Sequence, residues 1–220
     1  QSEIPNIIFK NDKIIVGGYQ QFVINKKTLN LKNIKKTEKF TFINKLLNNI
    51  NIKHNCISLV DIGCSAGLTS FIALNNNFEY IVSLDHDPEY INTLTKIKKK
   101  CNITKINEYV YSFGNTISKK FDVVFCGALI HWIFSLTADF RNFDSIISYL
   151  ISLTNKFLII EWVDPSDRAI KSLNHIKKRQ KENDEEYNTK NFEIAIKKFT
   201  TIISKENVDG STRTIYVLRI

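Results

Sequence analysis

The sequence predicts an α/β fold with a doubly wound, seven-stranded sheet, mostly parallel, carrying an antiparallel hairpin strand at its C-terminal end. Three observations predict it. Strand-like and helical stretches alternate five times between residues 57 and 163, the order of a sheet wound with helices. Several of the strand runs, Ile57 to Ile62 and Phe121 to Cys126 among them, are apolar at nearly every position, as parallel strands covered on both faces require. Past residue 199, two alternating runs flank Val208-Asp209-Gly210-Ser211, and Asp-Gly between such runs signals a hairpin.

Residues 1–36 read as an arm. Ile7-Ile8-Phe9 and Ile14-Ile15-Val16 are separated by Asn11-Asp12, which suits a hairpin, and Gly17-Gly18 breaks the pattern. From Thr37, a suitable N-cap, to Ile50 the residues Phe40, Ile43, Leu46, Leu47 and Ile50 recur at helical spacing. A strand over 57–62 leads through Gly63 to Gly67 into a helix ending near Asn75. Tyr80 to Leu84 is the second strand. Pro88 opens a helix to about Lys100, since proline fits the first turn. Lys105 to Tyr111 and Phe121 to Cys126 are the third and fourth strands. Phe140 to Leu153 is a helix and Phe157 to Val163 the fifth strand. Pro165 to about Lys181 is a polar helix, followed by charged residues 181–186. Phe192 to Phe199 is a short helix. Phe199 to Ser204 and Thr212 to Ile220 form the closing pair.

A chain of 220 residues is one domain, or one with an appendage. It is long enough to bury roughly 70% of its unfolded surface. With 43% hydrophobic and 24% charged residues, disorder and collagen-like structure are excluded. No apolar run approaches the roughly 20 residues of a membrane helix, and no signal peptide is visible. The chain has no Met, so a trimmed chain or a piece of a longer polypeptide is expected, and targeting signals could have been lost with it. The net charge of +9 and pI near 9.3 admit an anionic partner such as RNA, a nucleotide-sugar or a membrane surface. Much of the excess lies on lysine-rich helix faces (Lys96, Lys98, Lys99, Lys100). Abundant Lys, Asn and Ile with scarce Gly and Pro fit AT-rich coding drift better. Cys56, Cys64, Cys101 and Cys126 have no metal-ligand spacing, so reduced intracellular thiols are expected.

The sharpest feature is Leu59-Val60-Asp61-Ile62-Gly63-Cys64-Ser65-Ala66-Gly67. Its glycines bracket a strand-to-helix turn where backbone can approach a ligand and helix N–H groups stand unpaired. Asp85 ends the second strand about 20 residues after the turn, where an acid can accept both hydroxyls of a ribose. The pair resembles motifs of the class I, Rossmann-like S-adenosylmethionine (SAM)-dependent methyltransferases, with Ser65 in place of a middle glycine. A dinucleotide dehydrogenase shares the strand and turn, but the third glycine of its motif is missing, with Thr69 and Ser70 following.

The resemblance covers about residues 57–163 and implies site residues. Asp61 serves the methionine end of SAM. Gly63, Cys64, Ser65 and Gly67 line the homocysteine side. Asp85 holds the ribose with His86 beside it. Ser112 and Phe113 fall where adenine sits, Phe113 stacking on the ring or belonging to the core. Cys126 and Gly127 end the fourth strand below the reacting methyl group. S-adenosylhomocysteine (SAH) is the implied product.

The block from Phe121 to Trp132 lacks the Asn/Asp-Pro-Pro-aromatic motif of exocyclic amine methylation, a Pro-Cys pair and a Lys-Asp-Lys-Glu set. What remains is an oxygen nucleophile, or an amine on a small molecule. His131 is the expected base, being just past the fourth strand with an ordinary pKa near 6.5; packing against Trp132 is the bland alternative. His175 is a second candidate, expected on the solvated side of its helix. Glu161 and Asp164, at the end of the fifth strand, are candidates to orient His131 or bind substrate hydroxyls. Trp162 offers a sugar-binding face or is core. Asp164 and Asp167 carry oxygen ligands that suit Mg²⁺, but helix capping is the simpler role for Asp167, and no metal ligand is assigned. Gly18-Tyr19-Gln20 could reach back over the cofactor or be an ordinary loop.

The runs 128–135, 137–140 and 161–165 with Ser211 to Val217 are similar to glycan-modifying methyltransferases, including domains fused to glycosyltransferases in large DNA viruses. The expectation is therefore a sugar or glycan O-methyltransferase, with no membrane partner. A cytoplasmic location (the host cytoplasm if viral) and a place in a larger multidomain polypeptide are expected with it. The rivals are a SAM-dependent RNA methyltransferase and a catalytically idle SAM-binding partner domain. Residues 1–50 are an N-terminal arm and helix, and 51–220 the SAM-binding domain, with a lid-like helical insertion about 165–198.

Overall fold

A computed structural model describes residues 4–34, 37–183, 185–208, 210 and 212–220. The chain is α/β. Among the described residues seven strands form one sheet, in the order Thr201–Asn207, Arg213–Arg219, Thr154–Val163, Phe121–Gly127, Ser58–Ile62, Tyr80–Asp85 and Ile106–Val110, and four N-terminal strands form a separate sheet in chain order. By contact density the chain divides into two units, Gln1–Ser112 and Phe113–Ile220.

In the first unit, β1 (Asn6–Lys10) and β2 (Lys13–Gly17) pair antiparallel with Lys10 opposite Lys13. Asn11 takes φ 50° in the turn between them, a conformation asparagine tolerates. Two further strands extend this expected hairpin: β3 (Phe22–Asn25) and β4 (Leu31–Asn33). Their runs are too short for periodicity to reveal. Ile14, Val16, Phe22 and Ile24 are buried, alternate positions on one face of the sheet. Phe22 meets Phe71 of helix α2 (Leu68–Asn75) with ring centroids 5.7 Å apart. Asn75 accepts from Leu31 N–H (3.0 Å) and donates to Leu29 C=O (2.9 Å). The small sheet is thereby fastened along α2.

Helix α1 (Glu38–His54) starts on Thr37, whose hydroxyl accepts from Phe40 N–H at 3.2 Å. It buries Ile43, Leu47 and Ile50 and runs one turn past the expected end, to Asn55 in the left-handed conformation that closes many helices. Strands β5 (Ser58–Ile62), β6 (Tyr80–Asp85) and β7 (Ile106–Val110) are parallel. Helix α3 (Pro88–Cys101) has proline in its first turn and Asp87 as its cap, accepting from Glu89 N–H.

In the second unit, β8 (Phe121–Gly127) and β9 (Thr154–Val163) are parallel. β11 (Arg213–Arg219) runs antiparallel to β9, and β10 (Thr201–Asn207) antiparallel to β11. The turn reading of Val208-Asp209-Gly210-Ser211 rests on Asp209 and Ser211, which lie outside the described residues, as does Asp184 of the charged run. Two helices separate β8 from β9. Helix α4 (Ile130–Leu136) occupies residues just past the expected fourth strand, to which the sequence assigns no element. Helix α5 (Phe143–Ser152) begins three residues later than expected because Asn142 caps it, accepting from Ser145 N–H at 2.8 Å.

After β9 come α6 (Arg168–Lys171), α7 (Asn174–Asn183) and α8 (Thr189–Phe199). Trp162 is clamped between Tyr187 (4.7 Å, 18°) and Phe192 (4.3 Å, 10°), with Phe143 edge-on at 5.8 Å. Its Nε1–H donates to Thr189 Oγ1 at 2.9 Å. Trp162 is therefore core and presents no face to a sugar. Burying rings of this size contributes roughly 1.5–3 kcal/mol each, which fastens α8 firmly to β9.

Candidate active site

The cofactor-side candidates of the first unit converge on the turn after β5. Gly63 (φ 75°), Ser65 (φ 49°) and Gly67 (φ 93°) all take left-handed backbone conformations. A side chain at Gly67 would also press on Leu94 Cδ1 at 2.9 Å. Gly63 and Cys64 N–H both bond Leu84 C=O (2.8 and 2.9 Å), and Ser65 N–H donates to Asp85 Oδ2 at 2.8 Å. The turn is thus built onto the end of β6. Gly67 cannot cap α2 with a side chain. Instead Gln20, from the arm, accepts from Leu68 N–H at 3.1 Å. That part of the arm does reach the glycine turn.

Asp85 is buried, 6% exposed. Its Oδ1 accepts from Asp87 N–H at 3.0 Å and lies 3.3 Å from His86 Nδ1, while the His86 side chain is largely exposed. A carboxylate offers about four acceptor sites, so capacity remains for ribose hydroxyls. The residues fit the nucleoside end of SAM.

Asp61 is sealed at 2% exposure. Its Oδ2 accepts from Ser70 N–H (3.2 Å) and Ser70 Oγ (2.8 Å), and Ser70 Oγ also meets Ser83 Oγ at 2.6 Å. This polar chain joins β5, α2 and β6. Burial raises Asp61 from 3.8 to about 7; the Ser70 hydrogen bonds work the other way and Asp85 adds to the rise. Cys64 is buried, and that burial, with Asp61 and Asp85 nearby, pushes its thiol well up. All four cysteines are thiols buried in the fold. Ser112 is exposed.

In the second unit, Phe113 is half-buried in an edge-on cluster with Phe140 (4.8 Å) and Tyr149 (4.7 Å). Cys126 is fully buried in β8, and Gly127 pairs with Glu161 across β8 and β9. Ala128 follows at φ 47°, a strained conformation for alanine.

His131, on α4, is 3% exposed, and its Nδ1 has no hydrogen-bond partner. Burial drops it from 6.5 to about 3; Arg213 and His175 push the same way and Asp167 opposes them. Its ring lies 5.2 Å from that of Trp132. Neither Glu161 nor Asp164 engages Nδ1, so of the two roles expected of them only the binding of substrate hydroxyls is left. Glu161, buried, has Oε1 3.6 Å from Arg213 Nη1. Asp164 accepts from Ser166 N–H (2.9 Å) and Oγ (2.6 Å) and from Thr189 Oγ1 (3.0 Å). Asp167 caps α6 through Ala169 N–H and takes Arg213 Nε–H at 2.7 Å. Burial works against ionisation of both aspartates, but these bonds outweigh it and hold both below the usual range.

The sequence assigns Arg213 no role and places His175, the second candidate base, on the solvated side of its helix. Arg213 pairs with Val163 across β11 and β9, one step diagonally from Glu161, so a register would have exposed the pair. His175 is half-buried and stacks on Trp132 at 5.6 Å and 25°. Among the described residues, no cluster of three or more His, Cys, Asp or Glu is arranged to hold a metal ion. No described helix is long and apolar enough to cross a membrane.

No curated protein sequence matches the chain, while many solved structures share its fold. Magnesium protoporphyrin IX methyltransferase ChlM from Synechocystis PCC 6803, solved with bound SAM, matches with TM-score 0.59 at 10% identity, over 82% of this chain and 79% of that one. N-methyltransferase NodS from Bradyrhizobium japonicum WM9 matches with TM-score 0.60 at 11% identity, over 83% and 97%. The bifunctional kinase-methyltransferase WbdD matches with TM-score 0.64 at 16% identity, over 82% of this chain but 39% of WbdD. At these identities the likeness is one of fold. In sequence, the ribosomal protein L11 methyltransferase model covers residues 41–152, just over half of the chain. The chain belongs to the ribosomal protein L11 methyltransferase (PrmA) family of SAM-dependent methyltransferases.

Proposed function

We propose that the protein transfers a methyl group to a hydroxyl of a sugar or glycan. The observation that carries this reading is His131, a buried imidazole whose Nδ1 has no hydrogen-bond partner. When bound, SAM supplies a methyl group on a sulfonium and leaves as the neutral thioether SAH. Asp85, with Ser65 beside it, binds the ribose, and Asp61 serves the methionine end. Gly63, Cys64 and Gly67 shape the turn around the cofactor. His86 and Ser112 are further contacts of the cofactor on the same unit. As the methyl group passed from the SAM sulfur to the acceptor oxygen, His131 Nδ1 would take the proton that the hydroxyl gives up. Orientation does most of the work in such a displacement, and Asp167 offsets part of the charge that His131 gains. Glu161 and Asp164 shape the acceptor side through Arg213 and Thr189.

The fold likeness to part of WbdD, described as a bifunctional kinase-methyltransferase, supports a place within a larger polypeptide. A cytoplasmic location, in a host cell if the source is viral, belongs to the same proposal. The net charge of +9 favours the second reading, RNA methylation. Labelled methyl transfer from SAM separates the two, with sugars and nucleotide-sugars tried beside RNAs, each with and without Mg²⁺. Label on a sugar hydroxyl is expected. Label on RNA alone would overturn the acceptor, and bound SAH with no label anywhere would point to an idle partner domain.

A further inference from the structure

We infer that Trp132, flanked by His131 and His175, seats the acceptor, and that the acceptor there is a neutral carbohydrate ring. This rests on the sugar reading above and adds where the ring docks and which groups recognise it. Trp132 is 39% exposed although it stands on a helix whose neighbours His131 and Ile133 are buried. His131 lies 5.2 Å from it and His175 stacks on it at 5.6 Å. Both imidazoles have a buried ring nitrogen without a partner, Nδ1 of His131 and Nε2 of His175. Leaving such an atom unpaired carries its full desolvation penalty. Two of them, on two helices and beside one indole, mark a place where a ligand completes the bonding.

The arrangement is held from behind. Arg179 of α7 donates through Nη2 to the carbonyls of Ser135 (3.3 Å) and Thr137 (2.8 Å) at the end of α4, groups that a helix leaves unpaired. This fixes His175 opposite Trp132. Around His131, Asp164 and Asp167 are ionised, Arg213 is tied to Asp167 and close to Glu161, and Arg179 lies at the end of α4. The cluster carries no positive excess, which disfavours a phosphate-rich acceptor. A sugar ring suits it: the C–H face lies on the indole, and each rim hydroxyl can donate or accept, matching either imidazole tautomer.

The chain has two tryptophans, and Trp162 is 1% exposed between Tyr187 and Phe192. Fluorescence quenchable by acrylamide therefore reports Trp132. The experiment titrates the full chain, saturated with SAH, with methyl glycosides and nucleotide-sugars, and with a short RNA for comparison. At least one sugar is expected to shield Trp132. His175→Phe, which keeps the stacked ring and removes the nitrogen, should weaken that sugar about tenfold with SAH affinity and melting temperature unchanged. His131→Gln should weaken it as well; His175→Phe carries the test if that buried variant does not fold. Shielding by RNA alone, shielding by no sugar, or a sugar affinity indifferent to His175→Phe would each overturn the inference. A sugar that accepts label without shielding Trp132 would overturn it and leave the methyl-transfer reading standing.

Discussion

The Ser65 N–H donates to the Asp85 carboxylate at 2.8 Å across 20 residues of sequence. This bond joins the glycine turn after β5 to the end of β6, so the two elements that resemble cofactor motifs form one structure. It also holds Ser65 in its left-handed conformation, which accounts for a serine where a middle glycine would be less strained.

Asp61 makes stability depend on pH in a stated direction. Its pKa is raised from 3.8 to about 7 in the folded chain. Between those values the folded state keeps a proton that the unfolded state releases, so its contribution is complete below 3.8 and is lost as pH rises through about 7. Asp61→Asn removes that slope. Denaturant titrations should show the variant gaining on the wild type between about pH 5 and pH 8, by on the order of 1–3 kcal/mol. Parallel curves would mean that Asp61 is already ionised at about pH 5.

His131 acts with the opposite sign. Its pKa falls from 6.5 to about 3 on folding, so its contribution to stability is present above 6.5 and lost as pH drops towards 3. Turnover at saturating SAM should stay flat through pH 6.5. An acid limb at that pH, abolished in His131→Gln, would show the imidazole to be solvated. His131→Ala should lower kcat by about 10²–10⁴ with SAH affinity intact. Unchanged kcat would remove His131 from the chemistry.

Phe192 closes the aromatic stack over Trp162, and its side chain is fully buried. Phe192→Ala should destabilise the protein by about 3–5 kcal/mol, read as a fall in denaturation midpoint. A loss below about 1 kcal/mol would mean that α8 rests on β9 without this anchor.

The wound sheet was legible because its strands are apolar on both faces, and the turn was legible because its glycines and Asp85 are local signals. Helix α4 was not, since Ile130 to Leu136 is one short run directly continuing an apolar strand. Strands β3 and β4, of four and three residues, are fixed by pairing and by Asn75 of a distant helix. The cluster around His131 was half-legible. His131 stands out by type and position, but Arg213 matters only through the register of β11 on β9. Trp162 reads equally well as platform or core until Tyr187 and Phe192 are seen to close on it.

If the Ser65–Asp85 junction binds SAM, calorimetry with SAH on wild type, Asp85→Ala and Asp85→Asn will register it. Asp85→Ala should weaken binding by about 1.5–3 kcal/mol for each charge-assisted hydrogen bond lost. Asp85→Asn, which keeps an acceptor for Ser65 N–H, should lose less. Equal SAH affinity in all three proteins would contradict the claim and place the ribose elsewhere.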